Sequence, residues 1–318
     1  MLRTAVGVAG VAGVSALAGC TGAADVPEEV VTTRFAGDPG RGRVYVGATL
    51  GLADPLMSSS LFASSPLTMT RRFYRAHQLD TMAEAVRDDV ANRKLPFISC
   101  KPPLPWRAMA AGADGGWLDR LLGHLDDSGG DVWLALHHEP ENDVGRGRAE
   151  DWVALQELAL ARASRIAPRV TVVPVLMQWT FTAASGRQAR DWLVPSAPLL
   201  GVDVYNRWRP GGHADWEEFA SLLEQVREVV DDRVLVVPEL GCRSDPDDPL
   251  RGPNWIRNAF QVSVLDDVVG LAYFDSEHQD DLSYRLDTDR LEALTEIARR
   301  PEAAQPRLPD PAAAGGAA

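Results

Sequence analysis

What most restricts the fold of this chain is a recurrence. Short runs rich in Val, Ile, Leu and aromatic residues return eight times, at 44–49, 70–75, 96–101, 132–137, 170–177, 200–205, 234–239 and 271–274, each bounded by Gly, Pro, Asp or Asn. Between them lie stretches with helical spacing of apolar residues, at 78–93, 116–125, 149–166, 215–230 and 254–264, with a last one at 290–299. Strands that alternate with helices pair in parallel through right-handed crossovers, because a tight turn cannot bring the chain back to start a parallel neighbour. Eight such units in about 250 residues match a closed (β/α)8 barrel, so the predicted fold is α/β, a TIM barrel in a single domain. An open doubly wound sheet would want a Gly-rich phosphate loop after an early strand. Val46-Gly47-Ala48-Thr49-Leu50-Gly51 is a poor match to that fingerprint.

The ends differ from the middle. Arg3 is followed by an apolar run of small residues from Ala5 to Ala16 and then by Leu17-Ala18-Gly19-Cys20, which resembles a bacterial lipoprotein box. Residues 1–20 are therefore expected to be a lipoprotein signal peptide. Cys20 is the expected lipidation site, and the protein is expected to be exported and held by acyl chains on the outer face of the cell membrane. A signal peptide cut without lipidation is the alternative. Residues 21–42 read as a flexible linker, 43–299 as the barrel, and 300–318, poor in large apolar side chains, as a disordered tail.

A formal net charge of −13 argues against nucleic acid, whose binders carry a basic stripe, and is easier to reconcile with a neutral substrate. Beyond Cys20 only Cys100 and Cys242 remain. That is too few for a disulfide framework and unlike any metal-site spacing, so both read as buried small residues.

Functional groups of such barrels gather at the C-terminal ends of the strands. The fourth run delivers His137-His138-Glu139-Pro140-Glu141-Asn142 and the seventh delivers Glu239 before Leu240-Gly241. A charge at the tip of a buried strand is costly unless it is paired or used. Two carboxylates at one barrel mouth are what glycoside hydrolysis requires, one to protonate the leaving oxygen and one to attack the anomeric carbon or activate water. The clustered His137, His138, Glu139 and Glu141 also raise a metal-dependent hydrolase. However, the first run has no His-x-His, the fifth ends in Gln178-Trp179, and the His-Glu-x-x-His zinc pattern is missing.

Over roughly residues 43–299 the chain resembles clan A glycoside hydrolases, most of all family 26, the group that includes endo-β-mannanases. His138-Glu139 is similar to the family's strand-four signature and Glu239 to its strand-seven Glu. Asp191-Trp192, followed by Gly201-Val202-Asp203-Val204-Tyr205-Asn206, is similar to its strand-six segment and approach. The resemblance implies a retaining, endo-acting β-glycosidase on a β-mannan-like polysaccharide, with Glu139 as acid/base and Glu239 as nucleophile. It also implies Tyr205 bonded to the nucleophile. No metal or organic cofactor is expected, and the protein is expected to be a monomer that meets membranes through its lipid anchor alone. At the eighth strand, where the clan commonly places a Trp, this chain has Ala272-Tyr273-Phe274-Asp275-Ser276. An inactive barrel that binds surface polysaccharide is thus the rival reading.

Further substrate contacts are expected from His138, Tyr205 and Asn206, and from Trp106, Trp179, Trp208, Trp255 and Phe274 as platforms for sugar rings. Arg72, Arg75 and Lys101 sit near strand ends and are possible holders of hydroxyls or of Glu239. Trp117, Trp133 and His137 read as packing residues, and Glu141 and Asn142 as residues that order their loop.

Overall fold

A computed structural model describes residues 33–49, 65–276 and 284–307. The signal segment with Cys20, residues 21–32 of the expected linker and 308–318 of the expected tail lie outside the described residues. The strands are β1 (Tyr45–Thr49), β2 (Met69–Arg75), β3 (Leu95–Lys101), β4 (Val132–Leu136), β5 (Val170–Val172), β6 (Val175–Met177), β7 (Leu200–Tyr205), β8 (Leu235–Gly241) and β9 (Val268–Tyr273). They hydrogen-bond in the order β5-β4-β3-β2-β1-β9-β8-β7-β6, all in parallel.

The two ends of that order are consecutive pieces of one run, so the sheet closes on itself as a (β/α)8 barrel. The run at 170–177, expected as one strand, is interrupted at Val173-Pro174 because proline has no N–H for the ladder. Closure persists through the interruption: the Val173 amide donates to Leu134 O and the Gly201 amide to Pro174 O, both at 2.8 Å.

Helices α1 (Leu79–Ala91), α2 (Trp106–Ala110), α3 (Trp117–Asp126), α4 (Ala149–Ile166), α5 (Phe219–Val230), α6 (Arg251–Leu265) and α7 (Thr288–Ile297) join the strands. In α4, Trp152, Leu155, Gln156, Ala159 and Ala163 fall on one helical face and are buried. Asp151 accepts the Arg148 amide at its N-terminus, satisfying a donor that has no partner within the helix. After β6 there is no α-helix but three turns of 3-10 helix between 178 and 192. Trp117 and Trp133 are core residues, and Cys100 and Cys242 are buried free thiols.

Two apolar clusters share the sheet. The larger lies between strands and helices, and the smaller, built on Tyr45, Met69, Phe97, Trp133, Val175 and Val236, fills the barrel. This division assigns strand parity. In β2, Met69 and Phe73 face inward with Arg71 between them, whereas Thr70 and Arg72 both reach outward to Asp89 of α1.

Residues at both margins extend the domain beyond 43–299. Arg34 pairs with Asp38 at 2.9 Å, and Phe35 packs on Trp133. Residues 301–307, assigned to a tail by their composition, begin with an ordered segment: Val44 bridges Ala303 in parallel, and Ala303 and Ala304 are buried. Alanines carry too little apolar surface to announce burial in a sequence. Here backbone hydrogen bonds from Val44 to Glu302 O and from Ala304 to Val44 O do the holding. Among the described residues no helix is long and apolar enough to cross a membrane.

Candidate active site

A cavity of about 490 Å³ opens at the C-terminal ends of the strands. Glu139 and Glu239 both line it, delivered by two different irregularities. After β4 the backbone turns left-handed at His137 (φ 62°) and again at Glu139 (φ 48°), conformations that side chains other than glycine rarely adopt. The Glu139 amide is pinned to Val175 O at 3.0 Å. In β8, Val237 and Leu240 both pack outward although three residues apart, and the ladders to β7 and β9 shift register across that interval. Pro238, which cannot donate, sits in this bulge, and the extra residue turns Glu239 inward.

Glu239 is 5% exposed and has a donor on each oxygen: Arg71 Nη2 to Oε1 at 3.1 Å and the Tyr205 hydroxyl to Oε2 at 2.7 Å. The Arg71 side chain is wholly buried and lies over Phe73 and Phe97 at 4.4 and 4.9 Å. One buried guanidinium thus faces the buried carboxylate, a pairing whose removal on one side leaves the other group without its partner. Burial keeps the Tyr205 phenol far above its ordinary range, so it acts as a donor.

Glu139 is placed differently. Burial, then the negative charges of Glu239 and Glu141, push its carboxyl up to about 8. A third carboxyl, Asp203 on β7, is 2% exposed with neither oxygen hydrogen-bonded among the described residues. Burial and the charges of Glu239 and Glu139 raise it well above the usual carboxylate range. One oxygen each of Glu139, Asp203 and Glu239 lies within 4.8 Å of the others. By distance alone such a trio could also gather a cation, and Arg71 is the positive charge the fold itself places there.

His138 turns into the cavity with Nδ1 at 2.6 Å from Ser99 Oγ and its ring against Phe73, and burial holds it neutral by pushing its pKa well below the usual value. His137 points the other way. Trp106 Nε1, a donor only, bonds its Nδ1 at 2.9 Å, so the ring proton lies on Nε2, facing Asp143 Oδ2 at 3.1 Å. Phe274 lines the cavity and joins an aromatic wall, Phe73 to Phe274 to Tyr205 to Tyr284, with centroid separations of 6.4, 5.8 and 4.7 Å. Trp179 lines it as well, but the guanidinium of Arg207 lies over its ring at 4.1 Å.

Several expected contacts are elsewhere. Trp106 is fully buried behind His137 and Trp255 is buried with Nε1 bonded to Glu217 O, so neither can meet a sugar. Trp208 packs edge-on against Trp216 and beneath the Arg251 guanidinium, and does not line the cavity. Asn206 is buried, with its amide used on Glu217 O and the Trp208 amide to order the loop after β7. Arg72 faces Asp89, Arg75 is exposed, and Lys101 pairs with Asp143. Glu141 accepts the Met177 amide, and Asn142 lies against Met177 Sδ on the cavity wall.

Sequence reasoning missed Arg71, Asp203, Phe73, Tyr284 and Arg207. Strand parity held a signal for the first two: Arg71 is two residues from Met69, and Asp203 two from Tyr205.

No protein-family profile matches the chain, and no curated protein is detectably similar to it in sequence. Solved structures do match. The family 26 β-mannanase of Bacteroides ovatus superposes with a TM-score of 0.56 at 11% identity, covering 86% of this chain and 92% of its own. What this chain shares with these structures is the (β/α)8 fold. The family 26 endo-β-1,4-mannanase catalytic domain of Bacillus sp. JAMB-750 gives 0.59 at 11% identity, covering 83% and 88%. A family 5 xyloglucan-specific endo-β-1,4-glucanase from a metagenomic library gives 0.53 at 12%, covering 80% and 97%.

Proposed function

We propose that the protein is a retaining β-glycosidase acting within a β-mannan-like polysaccharide. The observation that carries this reading is the contrast between two neighbouring carboxyls, one oxygen of each within 4.8 Å of the other: Glu239 has a donor on each oxygen, while Glu139 is driven toward its protonated form. A retaining pair sits about 5 to 5.5 Å apart, whereas an inverting pair needs about 6.5 to 9.5 Å to admit a water. In the first step Oε1 or Oε2 of Glu239 forms a bond to the anomeric carbon as the glycosidic C–O bond breaks, and the leaving oxygen takes the Glu139 proton. In the second, Glu139 takes a proton from water, whose oxygen displaces Glu239 and completes the sugar product. His138, Tyr205 and Phe274 line the space where the attacked ring would lie.

Two of the similar structures are β-mannanases, which makes β-mannan the first substrate to try. The test is hydrolysis of a panel of β-linked polysaccharides by the full chain, with Glu139→Ala and Glu239→Ala variants and an EDTA arm. Turnover lost in both variants and indifferent to EDTA supports the mechanism. Binding without turnover in all three proteins would replace it with a polysaccharide-binding role. We further propose lipid anchoring through Cys20, which labelled palmitate should mark in the wild type and not in Cys20→Ser.

A further inference from the structure

The chain carries a formal net charge of −13, yet on one rim of the cavity it gathers guanidinium groups with little carboxylate to meet them. Arg207 lines the cavity, and its acid partner, Glu217, is a loose 3.7 Å away with the two side chains 41% and 31% exposed. Arg187 bonds to neutral acceptors, Thr180 Oγ1, Glu141 O and Asn142 Oδ1. Arg243 is 7% exposed and bonds to Arg207 O, Trp208 O and the Tyr284 hydroxyl, with its Nε unpartnered. Neither Arg187 nor Arg243 forms an ion pair with a carboxylate among the described residues. Through Asn142 and Tyr284, both adjoin the cavity that Arg207 lines.

A buried guanidinium without a counter-ion, as at Arg243, is costly, and a protein rich in acidic side chains has ample means to supply one. Arg207 also covers the ring of Trp179 that an uncharged sugar would stack on, at 4.1 Å. A carboxylate arriving there would take the guanidinium in a bidentate bond and uncover the indole at the same time. At the cleaved ring itself the one cation the fold supplies among the described residues, Arg71, is already bonded to Glu239 and is not free for an acid.

We infer that the polysaccharide carries a uronic acid on a ring next to the one attacked, and that Arg207 selects it. The inference rests on the reading of the cavity as a polysaccharide site. Its test compares β-1,4-mannotetraose with the same chain oxidised at C6 of a single ring. The full chain in detergent is assayed for kcat/KM, and Kd is measured separately by calorimetry on Glu239→Gln. The oxidised chain should be favoured by about tenfold in both measurements, as expected for one charge-assisted pair. Arg207→Ala should bring that ratio to one or below, with Arg207→Lys between, and the ratio should shrink from about 0.05 to about 0.5 M salt. Equal or better use of the neutral chain, or a ratio that Arg207→Ala leaves unmoved, overturns the inference while the hydrolase reading stands. Preferential binding of the oxidised chain without hydrolysis of either overturns the hydrolase reading and keeps this one. Binding of neither overturns both.

Discussion

The Tyr205 hydroxyl donates to Oε2 of Glu239 across 2.7 Å, while Arg71 holds Oε1 at 3.1 Å, so strands β7 and β2 each contribute a donor to a carboxylate carried by β8. A hydrogen bond to a charged group is worth about 1.5 to 3 kcal/mol. Tyr205→Phe removes one such donor and nothing of the ring packing against Phe274 and Tyr284. On the proposed reaction it should lower kcat/KM by about tenfold to a hundredfold, with the melting temperature nearly unchanged, as steady-state kinetics and calorimetry would show.

Arg71→Met should behave differently, because it leaves the buried Glu239 charge without its cation. The expected loss is about 3 to 5 kcal/mol in denaturant unfolding. The double variant Arg71→Met, Glu239→Gln should recover most of it, since both charges are then gone. A double variant no more stable than the single one would mean that Arg71 acts by packing alone.

The pH profile of activity follows from Glu139. Its protonated form is the acid of the proposed first step, and its carboxyl is pushed up to about 8. The rate of that step should therefore fall along an alkaline limb near pH 8, and Glu139→Gln should remove the limb along with the activity toward substrates with poor leaving groups.

Stability should respond to the same group with a definite sign. Folding raises the Glu139 carboxyl from an ordinary value of 4.5 to about 8, so the folded protein keeps a proton that the unfolded chain releases. Stability from this group is full below the unfolded value and is lost as pH rises toward 8. Glu139→Gln, which mimics the protonated form, should melt higher than the wild type at pH 8 and alike at pH 4. Equal melting temperatures at pH 8 would remove the buried-charge account.

Gly47 illustrates a purely steric requirement. A Cβ there would lie 2.1 Å from the backbone oxygen of Met69 on the paired strand, and backbone in a closed barrel cannot step aside. Gly47→Ala should cost more than about 3 kcal/mol, read by urea unfolding. Gly123→Ala, in α3 with nothing within 4 Å of the added carbon, should be neutral or stabilising by up to about 1 kcal/mol.

Much of the barrel was legible before any coordinates. The run at 149–166 coincides with α4 because its apolar spacing and the Asp151 cap act locally. Glu139 and Glu239 were legible because a charged residue at the end of an apolar run stands out against its neighbours. The aromatic contacts were not: Trp106, Trp179, Trp208 and Trp255 look equivalent in a sequence, and only one of them lines the cavity.

The alternation of apolar runs by itself determined the parallel barrel, since period and connection length leave few other ways to bury those faces. It also brought Glu139 and Glu239 to the barrel mouth, but gave no such sign for Asp203. The direction in which side chains turn was decided by tertiary structure. A bulge at Pro238 and left-handed residues at His137 and Glu139 reset the parity that would otherwise be read along the strand. Arg71 meets Glu239 across 168 positions of sequence, and the charge of each carboxyl depends on neighbours and burial that exist only once the barrel has closed.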